Sequence, residues 1–420
     1  MKRNTNIKAG ALQFVLFIGA IIAVLLLTFV LITYTHTLFH KKTDLTVSVI
    51  KQTDQGLVRS LEKGATTTVL SPLKEEGTAI SVTVSKAYWG VFEKRMSVGT
   101  YKKTSFTKMA LIGKKREEQI SALYLSDQKR PLVLAGNAKI TGDALLPQKG
   151  LRMGNIAGNS YGHATLLFGR QGQSGANLPK LDEEVLQQIK TYTQGNLGTE
   201  GALVTLKPGE AIKNSFLQPA QYIHGDHIVL EGMELTGNIM ILASQKITVP
   251  PSARLRDVLL IAPEIEIKDG TQGYFQALAN ERITLGSNCK LAYPSALVVH
   301  KTFRAGTDPD PRPHILIGPR SEIRGAIVYL EENGEQGHSP QIKIEENTVV
   351  MGEVYCTQNL EHKGTAFGTI TTRAFIALEN GSIYQNHLYN GTINSTILPT
   401  AYGGLLVNDG PSKKVMKWLY

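Results

Sequence analysis

The sequence has few cysteines and few aromatic residues. Its 420 residues include two cysteines, Cys289 and Cys356, which excludes both a disulfide scaffold and a four-cysteine zinc site. Aromatic residues make up 7% of the chain and charged residues 19%, whereas 42% are hydrophobic, so the chain is too apolar for a disordered tether. The 40 glycines and the many β-branched residues favour short strands and turns over large helical domains.

Nucleotide- and cofactor-binding motifs are also missing. There is no G-x-x-x-x-G-K-[ST] phosphate loop, no dinucleotide fingerprint and no C-x-x-C pair. Gly158-Asn-Ser-Tyr-Gly162 matches the nucleophile-elbow pattern of serine hydrolases, which requires a helix after the serine. The short apolar run at 164–168 predicts a strand instead. We therefore expect a β-turn around Ser160, and neither a catalytic residue nor a cofactor.

Two groups of residues have the chemistry of metal ligands. His224, Asp226 and His227 suit zinc, but they lead into a strand on which their side chains point apart. Asp308 and Asp310 suit calcium, but the prolines that alternate with them favour an extended, exposed loop. The sequence therefore predicts no metal site.

A long uncharged stretch near the amino terminus predicts a membrane anchor. Residues 11–34 are apolar except for Gln13, Thr28 and Thr33. At about 1.5 Å per residue this segment spans a hydrocarbon core of about 30 Å. A cleaved secretory signal has a shorter apolar region followed by a small-residue cleavage site, which is missing here. We expect a single pass through the inner, cytoplasmic membrane, with a cytoplasmic amino terminus and the bulk of the chain periplasmic or extracellular.

The helical pattern continues beyond the membrane. Leu45, Val49, Leu57 and Leu61 recur at spacings near three and four residues, which predicts an amphipathic stem helix over 35–64 that ends at Gly64.

This amino-terminal segment resembles type IV pilins and pseudopilins. A short basic leader, residues 1–10, precedes the long apolar helix, and the resemblance implies cleavage between Gly10 and Ala11. That class usually carries Glu at the fifth mature position, where this chain has Val15. The minor K-type pseudopilins of type II secretion and the X-type minor pilins also lack that acid. A plain single-pass anchor is the alternative interpretation.

The basic excess of the chain lies in its first third. Residues 1–150 contain 22 Lys and Arg against 10 Asp and Glu, whereas residues 151–420 contain 23 against 25. Strand-like runs and basic turns alternate over 79–135 and predict an antiparallel β-meander. Basic residues interleaved with aromatics indicate a surface for anionic lipid, glycan or nucleic acid, although a solvated outer face of a small sheet explains the same pattern. The candidate polyanion-binding residues are Lys94, Arg95, Lys102, Lys103, Lys114, Lys115 and Arg116.

The region 136–214 is predicted to connect the meander to the carboxyl-terminal half of the chain. It contains one helical segment with Leu181, Val185, Leu186 and Ile189 on a single face, which is typical of a cap or a side brace.

Internal repetition dominates residues 215–375. An aliphatic-x-aliphatic step recurs, at first with a period of about 18 residues, and a turn and a second apolar strand come after each step. A coil of this kind cannot bury its aliphatic residues alone and stacks on the next about 4.8 Å away. The pattern predicts a parallel β-solenoid, with 376–420 as a carboxyl-terminal cap. The steps are Ile228-Val-Leu230, Ile247-Thr-Val249, Ile265-Glu-Ile267, Ile283-Thr-Leu285, Ile315-Leu-Ile317 and Ile342-Lys-Ile344.

The repeats resemble bactofilin-type polymer-forming domains or the pectate-lyase class. The predicted fold is thus mainly β: an amino-terminal transmembrane helix, an antiparallel β-meander, then a single-stranded parallel β-helix. We expect a non-enzymatic envelope protein, structural or pseudopilin-like, whose partners are the membrane and other pseudopilin or secretion-system subunits, with no small-molecule substrate. The alternatives are an anchored polysaccharide-active β-helix enzyme and a polyanion-binding module.

Overall fold

A computed structural model describes residues 9–62, 70–75, 78–116, 120–195, 202–203, 209–302, 311–332, 337–408 and 412–420. Residues 1–8 of the predicted leader, Gly64, and the pair Asp308 and Asp310 lie outside the described residues. The predicted fold class is confirmed: the protein is mainly β, with one long apolar amino-terminal helix, an antiparallel sheet and a large parallel solenoid.

Helix α1 (Ala9–Arg59) runs without a break through the predicted span and most of the predicted stem, and it ends at Arg59, before the predicted end of the stem at 64. Its residues 10–44 are all exposed, and burial begins near Val49. It is the one helix in the described part of the chain that is long and apolar enough to cross a membrane. The hydroxyl groups of Thr28 and Thr33 donate to the carbonyls of Val24 and Phe29, which removes the cost of placing them in lipid.

An antiparallel sheet comes after the helix. Neighbouring strands pair in chain order, and the carboxyl-terminal segment adds two more strands beside the last of them. The strands are β1 (Leu70–Glu75), β2 (Thr78–Trp89), β3 (Phe92–Tyr101) and β4 (Thr104–Lys115).

The remaining elements build the solenoid, its flank and the return to the sheet. The strands before the second helix are β5 (Ser121–Leu125), β6 (Leu132–Ala135), β7 (Lys139–Thr141), β8 (Asp143–Leu146), β9 (Leu151–Met153), β10 (Asn155–Ile156), β11 (Asn159–Ser160) and β12 (Gln171–Gln173). Helix α2 is Glu183–Thr193. The strands of the repeat region are β13 (Ala202–Leu203), β14 (Ala211–Asn214), β15 (Gln221–Val229), β16 (Glu234–Gly237), β17 (Ile239–Val249), β18 (Arg254–Ile261), β19 (Glu264–Ile267), β20 (Gln272–Ala279), β21 (Arg282–Leu285), β22 (Lys290–Thr302), β23 (Ile315–Ile317), β24 (Glu322–Glu332), β25 (Ile342–Ile344), β26 (Val349–His362) and β27 (Thr365–Glu379). The last are β28 (Ser382–Gln385), β29 (His387–Tyr389), β30 (Thr392–Asn394), β31 (Gly403–Gly404) and β32 (Lys413–Leu419).

The predicted register of the repeats is confirmed. Ile265 lies over Ile283 and Ile267 over Leu285 in parallel pairing, and all four side chains are buried in one core. Glu266, between the two isoleucines, points outward and pairs with Lys246 across the coils at 2.7 Å. The alternation of apolar and polar residues therefore maps directly onto the inside and the outside of the solenoid.

Each coil has three sides rather than the two that the sequence pattern indicated. In one coil the sides are Arg254–Arg256, Val258–Ile261 and β19, with a register shift at Asp257 between the first two. The first side was missed because it is short and only this bulge separates it from the apolar strand. Asp257 has a φ of 59°, a left-handed conformation that Asp tolerates better than most residues.

The order of the coils in space differs from their order in the chain. Strand β5 pairs with β27 through Leu123 and Ile370, β8 stacks on β5, and β12 stacks on β8. The segment 121–173 therefore forms the last coils of the solenoid although it precedes the repeats in sequence. This corrects the assignment of residues 120–135 to the meander, since Leu132 and Leu134 also lie in the solenoid core, and of the first part of 136–214 to a connection. The predicted cap at 376–420 is also corrected, because β30 pairs with β27 in the solenoid and β32 pairs with β4 in the sheet.

A second core joins the flank of the solenoid to its neighbours. The outward side chains of the second side, such as Leu259 and Val298, are fully buried. Helix α2 covers them with Val185 and Ile189, as a side brace, and the sheet contributes Trp89 to the same core. Burial on both faces explains why these strands are continuous apolar runs instead of alternating ones.

Candidate functional site

The carboxyl-terminal half of α1 docks on the antiparallel sheet. Val49 is fully buried with Ile80 and Val82, and the carbonyl of Thr53 accepts a hydrogen bond from Ser97 Oγ at 2.9 Å. Helix and strand approach so closely at Gly99 that a Cβ there would stand 2.1 Å from Thr53 Oγ1. The helix that carries the apolar span is therefore packed directly into the folded part of the chain.

A buried ion-pair cluster fixes the end of this helix. Glu93 is fully buried and holds Arg95 Nε at 2.5 Å through one carboxylate oxygen and Lys413 Nζ at 2.5 Å through the other. Arg95 also donates to the carbonyl and the hydroxyl of Ser60 in the turn after α1. Glu93 therefore links the sheet to the carboxyl-terminal strand directly, and to the end of the helix through Arg95. The sequence signal was a single acid in a basic segment, and its partner Lys413 lies near the other end of the chain.

The hairpin between β2 and β3 contacts the solenoid. Trp89 Nε1 donates to the carbonyl of Asp257 at 3.1 Å, and the side chain of Gln276 bonds the backbone of Trp89 and Val91 at 2.9 Å each. Lys417 holds the Asp257 carboxylate at 2.5 Å. The pKa of Asp257 is raised, because the effect of burial is larger than the opposing effect of the hydrogen bond from Lys417. The sheet is therefore a rigid spacer between the helix and the solenoid.

The predicted polyanion-binding residues do not form one surface. Lys102 and Lys103 are exposed in the turn between β3 and β4, at the end of the sheet that lies toward the apolar part of α1. Lys114, Lys115 and Arg116 lie at the other end of β4, roughly 40 Å away at about 3.4 Å per strand residue. A single extended basic patch is therefore absent from the described sheet.

Three of these residues are engaged in the fold. Arg95 is 5% exposed and bound to Glu93 and Ser60, so it is unavailable to a ligand. Burial lowers the pKa of Lys94, whose Nζ lies 5.9 Å from the ring centroids of both Trp89 and Phe216. Lys114 Nζ lies 3.9 Å from the carboxylate of Glu353. The exposed lysines of the set are Lys102, Lys103 and Lys115.

A polar cleft of about 310 Å³ opens on the flank of the solenoid. Arg130 donates to Gln385 Oε1 at 2.6 Å, and Gln385 Nε2 lies 2.7 Å from His338 Nδ1, so these side chains form one wall. No carboxylate is among the described residues that line the cleft, whereas glycoside hydrolysis uses a pair of them. The described lining therefore has the chemistry to bind a polar group. Its lining residues are Gln128, Arg130, Gly337, His338, Asn359, Ala374, Phe375, Ile376, Gln385 and Asn386.

The other residues singled out in the sequence have structural surroundings. Ser160 lies on β11 of a two-strand hairpin and accepts a hydrogen bond from Asn155 Nδ2 at 2.8 Å. Cys289 and Cys356 are both buried and free in the solenoid core, and burial raises the pKa of Cys356 to about 12. His224 and Asp226 are exposed on β15, and the described residues contain no group of three side chains that could hold a metal ion.

Gly10 and Ala11, the predicted processing site, are exposed within the first turns of α1. Comparison of the chain with protein-family models, with curated proteins and with solved structures finds no match.

Proposed function

We propose that this protein is a non-enzymatic, membrane-anchored scaffold of the cell envelope, which holds a β-solenoid outside the cytoplasmic membrane as a minor pseudopilin-like component. The observation that carries the proposal is the unbroken helix α1, exposed over 10–44 and packed into the sheet from Val49 onward. A flexible tether would suffice for simple attachment. A helix continuous with the folded body transmits the position of the membrane to the solenoid.

The sheet supports the same proposal. Strand β3 binds the helix through Arg95 and Ser97, and the hairpin between β2 and β3 binds the solenoid through Trp89 and Val91. A stem helix that docks on an antiparallel sheet also suits the pilin-like resemblance of the amino-terminal segment. Processing after Gly10 would leave Ala11 as the first residue of an apolar helix available to pack against other subunits.

The polysaccharide-active alternative has one observation in its favour, the polar cleft on the flank of the solenoid. Its amide, Arg130 and His338 groups suit the hydroxyl groups of a glycan. Because none of the lining residues in the described part of the chain carries a carboxylate, glycan binding without cleavage is the form of this alternative that the cleft favours.

The test is the mass of the mature chain. We expect intact-mass spectrometry of protein purified from membranes of its native host to show a species that begins at Ala11, and a Gly10→Val variant to keep residues 1–10. Wild-type protein that retains residues 1–10 would contradict the pseudopilin-like proposal and leave the plain anchor. Release of the full chain from membranes by alkaline carbonate would contradict anchoring itself.

A further inference from the structure

We propose that the turn between β3 and β4, with Lys102 and Lys103 at its tip, lies in the headgroup layer of the membrane and binds anionic phospholipid. The inference rests on the proposed anchoring function, because it requires α1 to cross a bilayer. It adds a second contact with the membrane, which would fix the tilt of the rigid body on its helix.

The direction of β3 is set by its contacts with α1. Arg95 binds Ser60, Ser97 binds Thr53, and Gly99 approaches the carbonyl of Val49. As the strand number rises the helix number falls, so β3 runs toward the membrane end of α1. The turn that comes after Tyr101 is therefore the part of the sheet nearest the apolar span.

The level of this turn along the helix is set by the ion pair between Lys108 and Asp54, whose Nζ and Oδ1 atoms are 2.6 Å apart. Lys103 precedes Lys108 by five residues, or about 17 Å at about 3.4 Å per strand residue. The same length corresponds to about 11 helical residues at about 1.5 Å each. The turn thus stands level with about Thr43 if strand and helix are parallel. An angle between them shortens the projected length of the strand and shifts this level by only a few residues toward Val49.

The membrane boundary lies at the same level. The predicted span ends at Tyr34, Leu38 and Phe39 add two exposed apolar side chains one helical turn further on, and the exposed Lys41 and Lys42 come soon after them. Thr43 lies about 6 Å beyond Phe39 along the helix. The polar layer of a bilayer is roughly 5 to 8 Å thick on each side of the hydrocarbon core. Lysines of the turn and of the helix therefore meet the membrane within one layer.

The charges at this level favour an anionic surface. Lys41, Lys42, Lys102 and Lys103 are all exposed, and none of them pairs with an acidic side chain in the ranges that the structure covers.

One acidic residue, Asp44 on α1, stands at this level among the residues whose side chains the structure describes, against these four lysines. Tyr101 lies half-buried beside the turn, and its ring centroid is 5.2 Å from Lys102 Nζ. Tyrosine beside lysine is typical of the membrane interface.

The same geometry favours lipid over nucleic acid. A polyanionic strand needs a track of basic residues, and Lys114 and Lys115 are at the far end of the sheet, roughly 40 Å from the turn. Anionic headgroups need only local charge, because each lysine near the surface strengthens lipid binding about fivefold.

The experiment places a fluorophore beside the turn of the full chain. Ser105 is exposed two residues after Lys103, and the two native cysteines are buried, so a Ser105→Cys variant accepts the label selectively. The labelled protein is reconstituted into nanodiscs that carry a nitroxide headgroup quencher. We expect quenching to be at least twofold stronger in a one-to-three mixture of phosphatidylglycerol and phosphatidylcholine than in pure phosphatidylcholine. This excess should disappear in about 0.5 M NaCl, where screening shortens the reach of the charges.

Two double variants distinguish an effect of the turn lysines from an effect of the net charge of the protein. Lys102→Asn with Lys103→Ser should abolish the excess quenching, and asparagine suits the φ of 50° at position 102. The matched control, Lys115→Ser with Lys149→Ser, removes the same charge from exposed positions away from the turn and should keep the excess.

Quenching that does not depend on lipid charge, or that both double variants reduce equally, would overturn the proposal. Binding of a labelled oligonucleotide that requires Lys102 and Lys103, with quenching indifferent to lipid, would overturn it in favour of nucleic acid. Carbonate-resistant membrane association in every variant distinguishes failure of this inference from failure of the anchoring proposal.

Discussion

The buried histidine His362 shows how the solenoid core accommodates an ionisable group. His362 stacks on Ile344 of the preceding coil, and its Nε2 lies 3.0 Å from the carbonyl of Thr392, which assigns the ring proton to that nitrogen. Its Nδ1 is buried without a partner in the structure. Burial lowers the pKa of His362 to about 4, because a charged ring cannot be hydrated in the core.

This histidine should make the solenoid sensitive to acid. Its pKa is lower in the folded than in the unfolded chain, so the unfolded chain binds the extra proton first as the pH falls below about 6.5. Between there and about pH 4 the free energy of unfolding should decrease by up to about 3 kcal/mol. In a His362→Gln variant the amide still reaches Thr392 but cannot titrate. We expect the stability difference between wild type and variant to shrink by this amount on acidification, as measured by urea unfolding in detergent.

Taking the difference in free energy of unfolding between wild type and variant at each pH cancels the contributions of the other titrating groups. These include Glu353 and Glu361, whose pKa values are raised by burial. His224→Gln, at an exposed position, serves as the control and should show the wild-type pH profile. A stability difference that stays constant from pH 7 to pH 4 would show that His362 is not neutral in the core.

At the scale of elements, the contact between α1 and β3 depends on a missing side chain. Gly99 lets the strand backbone approach Thr53 and the Val49 carbonyl, which a Cβ would meet at 2.1 and 3.3 Å. The hydroxyl of Thr53 is itself turned back onto the Val49 carbonyl at 2.7 Å, so it cannot move away without losing that bond. The helix therefore docks at a fixed depth on the sheet.

A Gly99→Ala variant should push the helix off the sheet and destabilise the protein by about 1 to 3 kcal/mol through overpacking. Thr53→Ala removes the atom that the new methyl group meets, so the double variant should recover most of this loss. The fluorescence of Trp418, which packs with Leu57 and Leu61 of this helix end, reports the contact during urea unfolding. Gly99→Ala that is as stable as wild type, or a double variant that is no better than the single one, would contradict this account of the contact.

At the scale of the molecule, the carboxyl-terminal strand ties the sheet to the solenoid. Strand β32 pairs with β4, and Lys417 reaches across to Asp257 and lies 4.0 Å from the ring centroid of Tyr274. The Asp257 carboxylate is 15% exposed, so little water replaces a lost partner. Sheet and solenoid should therefore unfold as one cooperative unit.

Removing the ion pair between Lys417 and Asp257 should uncouple the unfolding of the sheet from that of the solenoid. Lys417→Met leaves the Asp257 carboxylate largely desolvated and unpaired, and we expect a loss of about 2 to 4 kcal/mol. Adding Asp257→Asn should restore part of it, because asparagine keeps the left-handed backbone and carries no charge. Differential scanning calorimetry should resolve two transitions in the single variant and one in wild type. Lys414→Met on the same strand is the control, and an equal effect there would contradict a specific role for Lys417.

Local patterns were sufficient for much of the fold. The uncharged run at 11–34 implied a helix that can span a membrane, and the alternation at Ile265 and Ile267 implied their burial, because both depend on periods of a few residues. The continuous apolar run at 258–261 indicated a second strand in each repeat, but not what covers its outer face.

The tertiary structure alone decided what pairs with what. Nothing near Leu123 in sequence indicates that it stacks on Ile370, because parallel strands have no local turn to set their partner. The candidate surface changed for the same reason. Lys102 and Lys115 are close in the chain, but an extended strand places them at opposite ends of the sheet, while Arg95 is buried by an acid and a helix end that spacing does not bring together. Composition therefore predicted a basic sheet, and strand direction decided that Lys102 and Lys103 lie at the end of the sheet toward the apolar part of the helix.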